Sequence, residues 1–425
     1  MTKTGSEKQT SRKRAEILAR AVELFNADGY HDTRLEDIAN EVGKSKTSIS
    51  YHFRSKDALL EEALSISCAF NTHELDLASE AGTGLERILS LVRRRAETHA
   101  AALAGRTPPT PLLSDIEAVS QSSNPEILAK HDAQIERICA FIQSGIDDGS
   151  VDVQSPAAAT FFLLNLLHWL PRWFASMPNA HHESAMDGLC DLLRNGIVLD
   201  PDRRISRTNL RQQLDHYPAI FDRSVRNQLK RDAFLRTGIR FLNRTGFRKL
   251  SLNDLAKELG VTRGAFYYYI SDKDDLLERC FDRTCDTIEN ALDRARRDTQ
   301  LDAITVIEQT LRTLFEGHIT DLDPLIRLNL LSSVNSAKRK VIEARLKRLR
   351  ASFSEIIAIA MLDGSARSID LDALENLFMG TLFSASQWRL AATPLHQSWN
   401  PAVEPVAASA AYFEPLLTGY ARKEG

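Results

Sequence analysis

The 425-residue sequence lacks any run approaching the roughly eighteen apolar residues of a membrane span. Its longest candidate, Ala157 to Leu170, is broken by Asn165 and His168. The N-terminus, MTKTGSEKQTSRKR, has no apolar core segment and does not read as a secretory signal. Cysteine is sparse: Cys68, Cys139, Cys190, Cys280 and Cys285 are scattered, with no CxxC pair. An odd count without metal spacing argues against a disulfide framework and suits a reducing cytoplasm. His99, His181 and His182 have no partner at metal-ligand spacing, so no metal is expected. GxSxG, HExxH, GxGxxG and the Walker glycine loop are all missing. No catalytic residue and no cofactor are therefore expected. Charge of one sign is also missing: the net is −3, which argues against a protein that coats nucleic acid by charge alone. A local basic face on an acidic body stays open. No alternating strand pattern of useful length occurs, so the fold class is all-α. With 43% apolar and 26% charged residues the chain is globular, long enough for two or three domains.

What the chain does have is a stretch that occurs twice. Residues 35–60 and 252–277 align without a gap at an offset of 217 (Gly246 minus Gly29). Ten of the twenty-six positions are identical, among them Asp37 and Asp254, Gly43 and Gly260, Tyr51 and Tyr268, Lys56 and Lys273. A period this long is a duplicated domain rather than a solenoid repeat.

Taken in order, residues 1–10 read as a disordered polar tail. A first helix over about Ser11 to Ala27 carries Ile17, Ala21, Leu24 and Phe25 on one face. Thr33, with Glu36 three residues on, is expected to cap a short helix ending at Gly43. Ser45 opens a third helix to about His52, and Ser55 caps a long fourth one. Helices follow over 56–79, 85–103, 112–121, 125–148, 156–177 and 182–198. Asn124-Pro125 and Ser155-Pro156 supply caps with proline at the first helical position. The second half repeats the plan, with helices over 273–297, 301–317, 324–333, 337–362, 370–391 and 402–421. The resulting domains are a head over 11–55, a body over 56–199, a linker over 200–224, a second head over 225–272 and a second body over 273–425.

Two short helices joined by a tight glycine-bearing turn form a helix-turn-helix, whose second helix enters the major groove. Its exposed side chains must reach base edges and phosphates. The first copy offers Lys44, Ser45, Lys46, Thr47, Ser48, Ser50, Tyr51 and His52, with Ile49 inward. The second offers Thr262, Arg263, Gly264, Ala265, Tyr267, Tyr268 and Tyr269, with Phe266 inward. Lys56 and Lys273 stand where the start of the fourth helix favours a phosphate.

This pattern resembles the TetR family of transcriptional regulators. The second copy matches through Gly246-Phe247, Ser251 to Gly260, Val261 to Tyr269 and Asp272 to Leu277. The first matches through Gly29-Tyr30, Leu35 to Gly43 and Phe53 to Asp57. It departs where Thr47 replaces the family's glycine and Ser50 replaces the phosphate-contacting tyrosine, which the second copy keeps as Tyr267. The resemblance implies two tandem units, each a three-helix DNA-binding head on a helical ligand-binding and dimerising body, and an intramolecular pseudo-dimer. It further implies double-stranded operator DNA and a small effector as partners, and a cytoplasmic repressor. Because the groove-facing residues differ, the operator is expected to be asymmetric. The alternative is a sensor or interaction protein in which the second head alone binds DNA and the chain pairs into a further homodimer.

The apolar segment Phe161 to Phe174 and its counterpart Leu374 to Leu390 read first as the docking surface between the halves. As a second reading, Phe162, Trp169, Trp173, Phe383 and Trp388, with Arg94, wall a pocket for a largely apolar effector. Arg93, Arg94 and Arg95 read as a solvated face, since three consecutive helical positions cannot all turn inward.

Overall fold

The computed structural model describes residues 3–109, 124–200, 223–384 and 403–422. The described residues form helices, short 3-10 turns and two isolated bridges. In the first half these are α1 (Lys3–Asp28), α2 (Leu35–Glu41), α3 (Lys46–His52), α4 (Lys56–Ala78), α5 (Gly84–Leu103), α6 (Pro125–Asp148), α7 (Pro156–Ala175) and α8 (His182–Asn195). The second half gives α9 (Arg223–Lys249), α10 (Leu252–Glu258), α11 (Arg263–Tyr269), α12 (Lys273–Arg297), α13 (Ala303–Ile319), α14 (Ser336–Asp363), α15 (Leu371–Ser384) and α16 (Pro405–Leu417). The helix expected over 112–121, most of the linker and residues 385–402 lie outside the described residues.

Several boundaries differ from the sequence reading, the last helix among them, which ends at Leu417 and not at 421. The first helix begins at Lys3, inside the stretch read as a polar tail. Thr33 is not the cap of α2: its hydroxyl donates to the Gly29 carbonyl at 2.9 Å. The cap moves one residue on, where the Arg34 N–H donates to the Asp37 carboxylate at 2.8 Å. No α-helix starts at Pro324, because Asp323 accepts from Arg283 at 2.9 Å instead of capping. Only a 3-10 segment, Leu328–Ser333, forms there. The last helix of the first body stops at Asn195, and Val198 runs on to bridge Ala366.

The two bodies pack along a seam in which α7 and α8 meet α15 and α16. The seam's rim is reciprocal. Val151 of the first half bridges Ala421 of the second, while Val198 of the first bridges Ala366 of the second. This exchange of roles is what a two-fold interface produces between identical chains. At the centre the match is unlike. The ring of Trp169 lies against Gly380, where an added Cβ would sit 2.7 Å from the indole. Asn165 donates to the Tyr412 hydroxyl at 2.7 Å, and Tyr412 stacks on Phe315 at 4.4 Å. The first head has its own core, built on Ile17, Phe25, Ile38, Ile49 and Phe53. The second head's core is continuous with both bodies.

Candidate nucleic-acid interface

Each head is built by the same local chemistry. Gly43 and Gly260 take φ 61 and φ 64, a left-handed conformation that turns the chain sharply and that residues with a Cβ adopt rarely. The next amide then donates back into the preceding helix, Lys44 to Ala39 and Val261 to Ala256. Ser45 and Thr262 cap the following helices, accepting from the Ser48 and Ala265 N–H at 3.2 and 3.3 Å. One fully buried side chain pins each seven-residue helix to its head, Ile49 in α3 and Phe266 in α11. Phe266 meets Phe234 edge-on at 5.7 Å. A helix so short is held by its caps and its one anchor, and its other faces are left to solvent.

Those faces carry the side chains singled out from the sequence. Lys44, Ser45, Lys46, Thr47, Ser50 and Tyr51 are exposed on the first head; Ser48 and His52 are half-buried at its edge. On the second, Thr262, Arg263, Gly264, Ala265, Tyr267 and Tyr268 are exposed. Tyr51 and Tyr268, equivalent in the repeat, are 82% and 80% exposed. Tyr269 is turned inward, its ring 5.2 Å from that of Phe234. Arg263 lies 5.6 Å over the ring of Tyr267. Its counterpart Lys46 is paired with Glu36 at 2.7 Å, and this hydrogen bond holds the Glu36 carboxyl below its ordinary range. A Cβ at Gly264 would enter open space, so Thr47 at the equivalent position alters the surface and not the packing.

The two helix-start lysines are used differently. Lys56 donates to the carbonyls of Tyr30 and Thr33 at 2.6 and 2.8 Å and lies 4.0 Å over the Tyr30 ring. Lys273 lies 3.5 Å from the Arg248 carbonyl. The sequence reading missed Lys13, which lines an open groove with Lys44, Thr47 and Tyr51. The signal was there in the basic run Arg12-Lys13-Arg14.

The residues read as an effector box sit in or near the seam. Phe162 is fully buried edge-on to Tyr412, Trp173 and Phe383 are buried, and Trp169 covers Gly380. Arg94 reaches Ser90 on its own helix, and Trp388 is outside the described residues. Arg95 corrects the reading of a solvated arginine run. Its side chain, 14% exposed, meets Glu74 at 2.5 Å between α5 and α4. Thr98 donates to the same carboxylate at 2.9 Å. Burial raises the Glu74 carboxyl against the pull of Arg95, and burial pushes His99 down to about 3, so that imidazole is neutral. Heptad spacing from Ile88 through Arg95, in step with Leu91 and Val92, could have placed Arg95 inward.

Comparison with known proteins agrees with the duplicated heads. The family of bacterial regulatory proteins described as the tetR family matches residues 17–63 and again 234–280. A tetracyclin repressor-like C-terminal domain matches residues 81–197. The HTH-type regulator RutR of Escherichia coli K12 is 49% identical over 49 residues, 12% of this chain and 23% of its own. The IcaR negative regulator of the Staphylococcus aureus biofilm operon icaADBC (strain Newman) is 42% identical over 55 residues, 13% of this chain and 28% of its own. The chain thus matches about a quarter of the length of these relatives. Among solved structures, PfmR of Thermus thermophilus is 23% identical, covering 42% of this chain and 96% of that one at a TM-score of 0.35. AibR, solved with isovaleryl coenzyme A and operator DNA, is 18% identical, covering 43% and 98% at a TM-score of 0.37.

Proposed function

Because the chain belongs to the TetR family, as two units in tandem, we propose that it is a sequence-specific DNA-binding transcriptional regulator whose two heads read unlike halves of one operator. The observation that carries this reading is the pair of exposed, capped seven-residue helices, α3 and α11. Their scaffolds match and their faces do not. In a major groove, Lys46 and Arg263 would reach base edges or phosphates from the first turn, and Tyr51, Tyr267 and Tyr268 from the later ones. The family's homodimer supplies two identical heads; here the seam between α7–α8 and α15–α16 supplies two different ones within one chain.

The regulator acts as a repressor that a small effector releases; the relative IcaR is named a negative regulator. The buried Asn71, Glu74 and His99 between α4 and α5, with the half-buried Arg95 and Thr98 on Glu74, favour an effector with a polar end over a wholly apolar one. To switch the operator almost completely, that effector must prefer the released state by about 10⁴-fold.

A second reading has its own support. In the first head Lys46 is tied to Glu36, Lys56 is turned onto two carbonyls, and Ser50 stands where the second head has Tyr267. The second head would then dominate binding. Mobility shift on a selected operator with one head altered at a time decides between the two. Arg263→Ala is expected to cost about 1–3 kcal/mol of binding. Under the two-head reading Lys46→Ala also weakens binding and lowers the salt dependence. Under the one-head reading Lys46→Ala leaves affinity unchanged. Arg263→Ala and Lys46→Ala both binding like the parent would refute DNA reading by these helices.

A further inference from the structure

The two heads touch each other directly, through the turns that join their first and second helices. Asp32, 4% exposed, lies in the turn of the first head. Its carboxylate accepts the backbone N–H of Phe247 at 3.0 Å and of Arg248 at 2.6 Å, both just past Gly246, whose non-helical φ 74 and ψ 170 break α9 and turn the chain toward α10. Arg248 returns the contact, its guanidinium donating to Asp37 at 2.7 Å. The approach is close enough to need glycine. Gly246 has φ 74, and a Cβ there would meet the His31 Cβ at 2.7 Å. A second strut stands beside this one: α1 packs on the 3-10 segment Leu328–Ser333 of the second body. The chain leading into that segment is held to α9 by Asn243, which donates to the Leu325 carbonyl and accepts from the Arg327 N–H, each at 2.9 Å.

The contact is complementary only between unlike heads. At the repeat offset, Asp32 corresponds to Lys249 and Arg248 to His31. Two second heads would therefore set Lys249 against the two N–H donors with no acceptor, and two first heads, with His31 in place of Arg248, would lose the ion pair to Asp37. Buried donors and acceptors must be matched, and an unmatched buried charge is strongly disfavoured. Burial, with Lys249, Lys56 and Arg327 nearby, holds His31 down at about 4. The first head's turn thus brings no imidazole charge to the basic Arg248-Lys249 turn.

We propose that Asp32 and Arg248 form a clasp that fixes the separation and rotation of α3 relative to α11, and so act as positioning residues that restrict the chain to one half-site spacing. The spacing part rests on the DNA-reading function proposed above; the mechanical part does not. Heads on separate bodies could follow a change of spacing by rigid rotation. Clasped heads cannot, since one inserted base pair moves a half-site about 3.4 Å along the axis and turns it by about 34°.

The test needs one readout without DNA and one with it. Spin labels at the equivalent exposed positions Arg54→Cys and Ser271→Cys, in a full-length Cys139→Ser, Cys190→Ser background, report the inter-head distance. The expected result is one narrow distance in the parent and a distribution at least about twice as wide in Asp32→Asn, whose amide turns an NH2 donor onto one of the two N–H groups that now bond to separate carboxylate oxygens. Arg248→Asp should also broaden the distance, and the exchanged pair Asp37→Arg, Arg248→Asp should narrow it again; a misfolded variant would not show this rescue. On DNA, one added base pair between the half-sites should cost the parent about tenfold in affinity, comparable to losing one well-read base pair, and Asp32→Asn less than about threefold. A distance in Asp32→Asn as narrow as the parent's overturns the clasp, whatever the DNA result. A broadened distance with an unchanged spacing profile overturns the positioning role. A parent that keeps the narrow distance but binds no duplex from a random pool refutes the DNA-reading function and leaves the mechanical clasp established.

Discussion

Glu414 illustrates how far a single side chain could be read. It lies on α16 at the seam, 8% exposed, and accepts the Gln154 N–H of the first half at 2.8 Å. Burial, with Asp152 nearby, raises its carboxyl from 4.5 to about 7 against that hydrogen bond. The folded chain therefore holds a proton that the unfolded chain releases between those values. Stability from this group is present below 4.5 and is lost as pH rises through 7. Glu414→Gln, which keeps an acceptor for Gln154, should match the parent at pH 4.5. It should exceed the parent by on the order of 3 kcal/mol at pH 8 in denaturant unfolding. Equal stabilities at both pH values would contradict this. The sequence held no sign of Glu414, because its environment comes from residues 260 positions away. Exposure of Tyr51, Tyr267 and Tyr268 was legible, since helical spacing around Ile49 and Phe266 fixes the outward faces. Tyr269 was not, because packing on Phe234 turns it inward.

Short helices depend on their ends, and here the ends were the most legible part. Ser45 and Ser55 cap α3 and α4 as read, Ser251 caps α10 in the same way, and Asp148-Gly149-Ser150 and Asp363-Gly364-Ser365 form matching turns. Thr262→Ala should lower the unfolding free energy by about 1 kcal/mol and weaken DNA binding with it, since α11 has one buried anchor besides its cap. A variant unchanged in both melting and binding would show that the cap does not hold this helix. Reading failed where a capping residue had a stronger partner elsewhere. Asp323 is drawn to Arg283 and Arg236, so the segment after it forms a 3-10 turn against the first head. Such a competition is set by tertiary contacts and leaves no local mark.

In the whole molecule, duplication gave two halves that now differ where they meet. The seam keeps reciprocal bridges at its rim and an unlike pair, Trp169 on Gly380, at its centre. Gly380→Ala should destabilise the chain by about 1–3 kcal/mol, because a Cβ would press the indole between two packed helices. An unchanged melting temperature would mean that the seam is loosely packed there. The tandem plan itself was legible from the 217-residue offset; the contact between the heads was not, since it is made by residues 216 positions apart with no local pattern that marks Asp32 or Arg248. On the proposed function, one chain presents two unlike reading helices to one duplex. Selection of bound DNA from a random pool by the full-length chain, followed by sequencing, tests this most directly. The account predicts two dissimilar half-sites at one fixed spacing, and a perfect palindrome would contradict it.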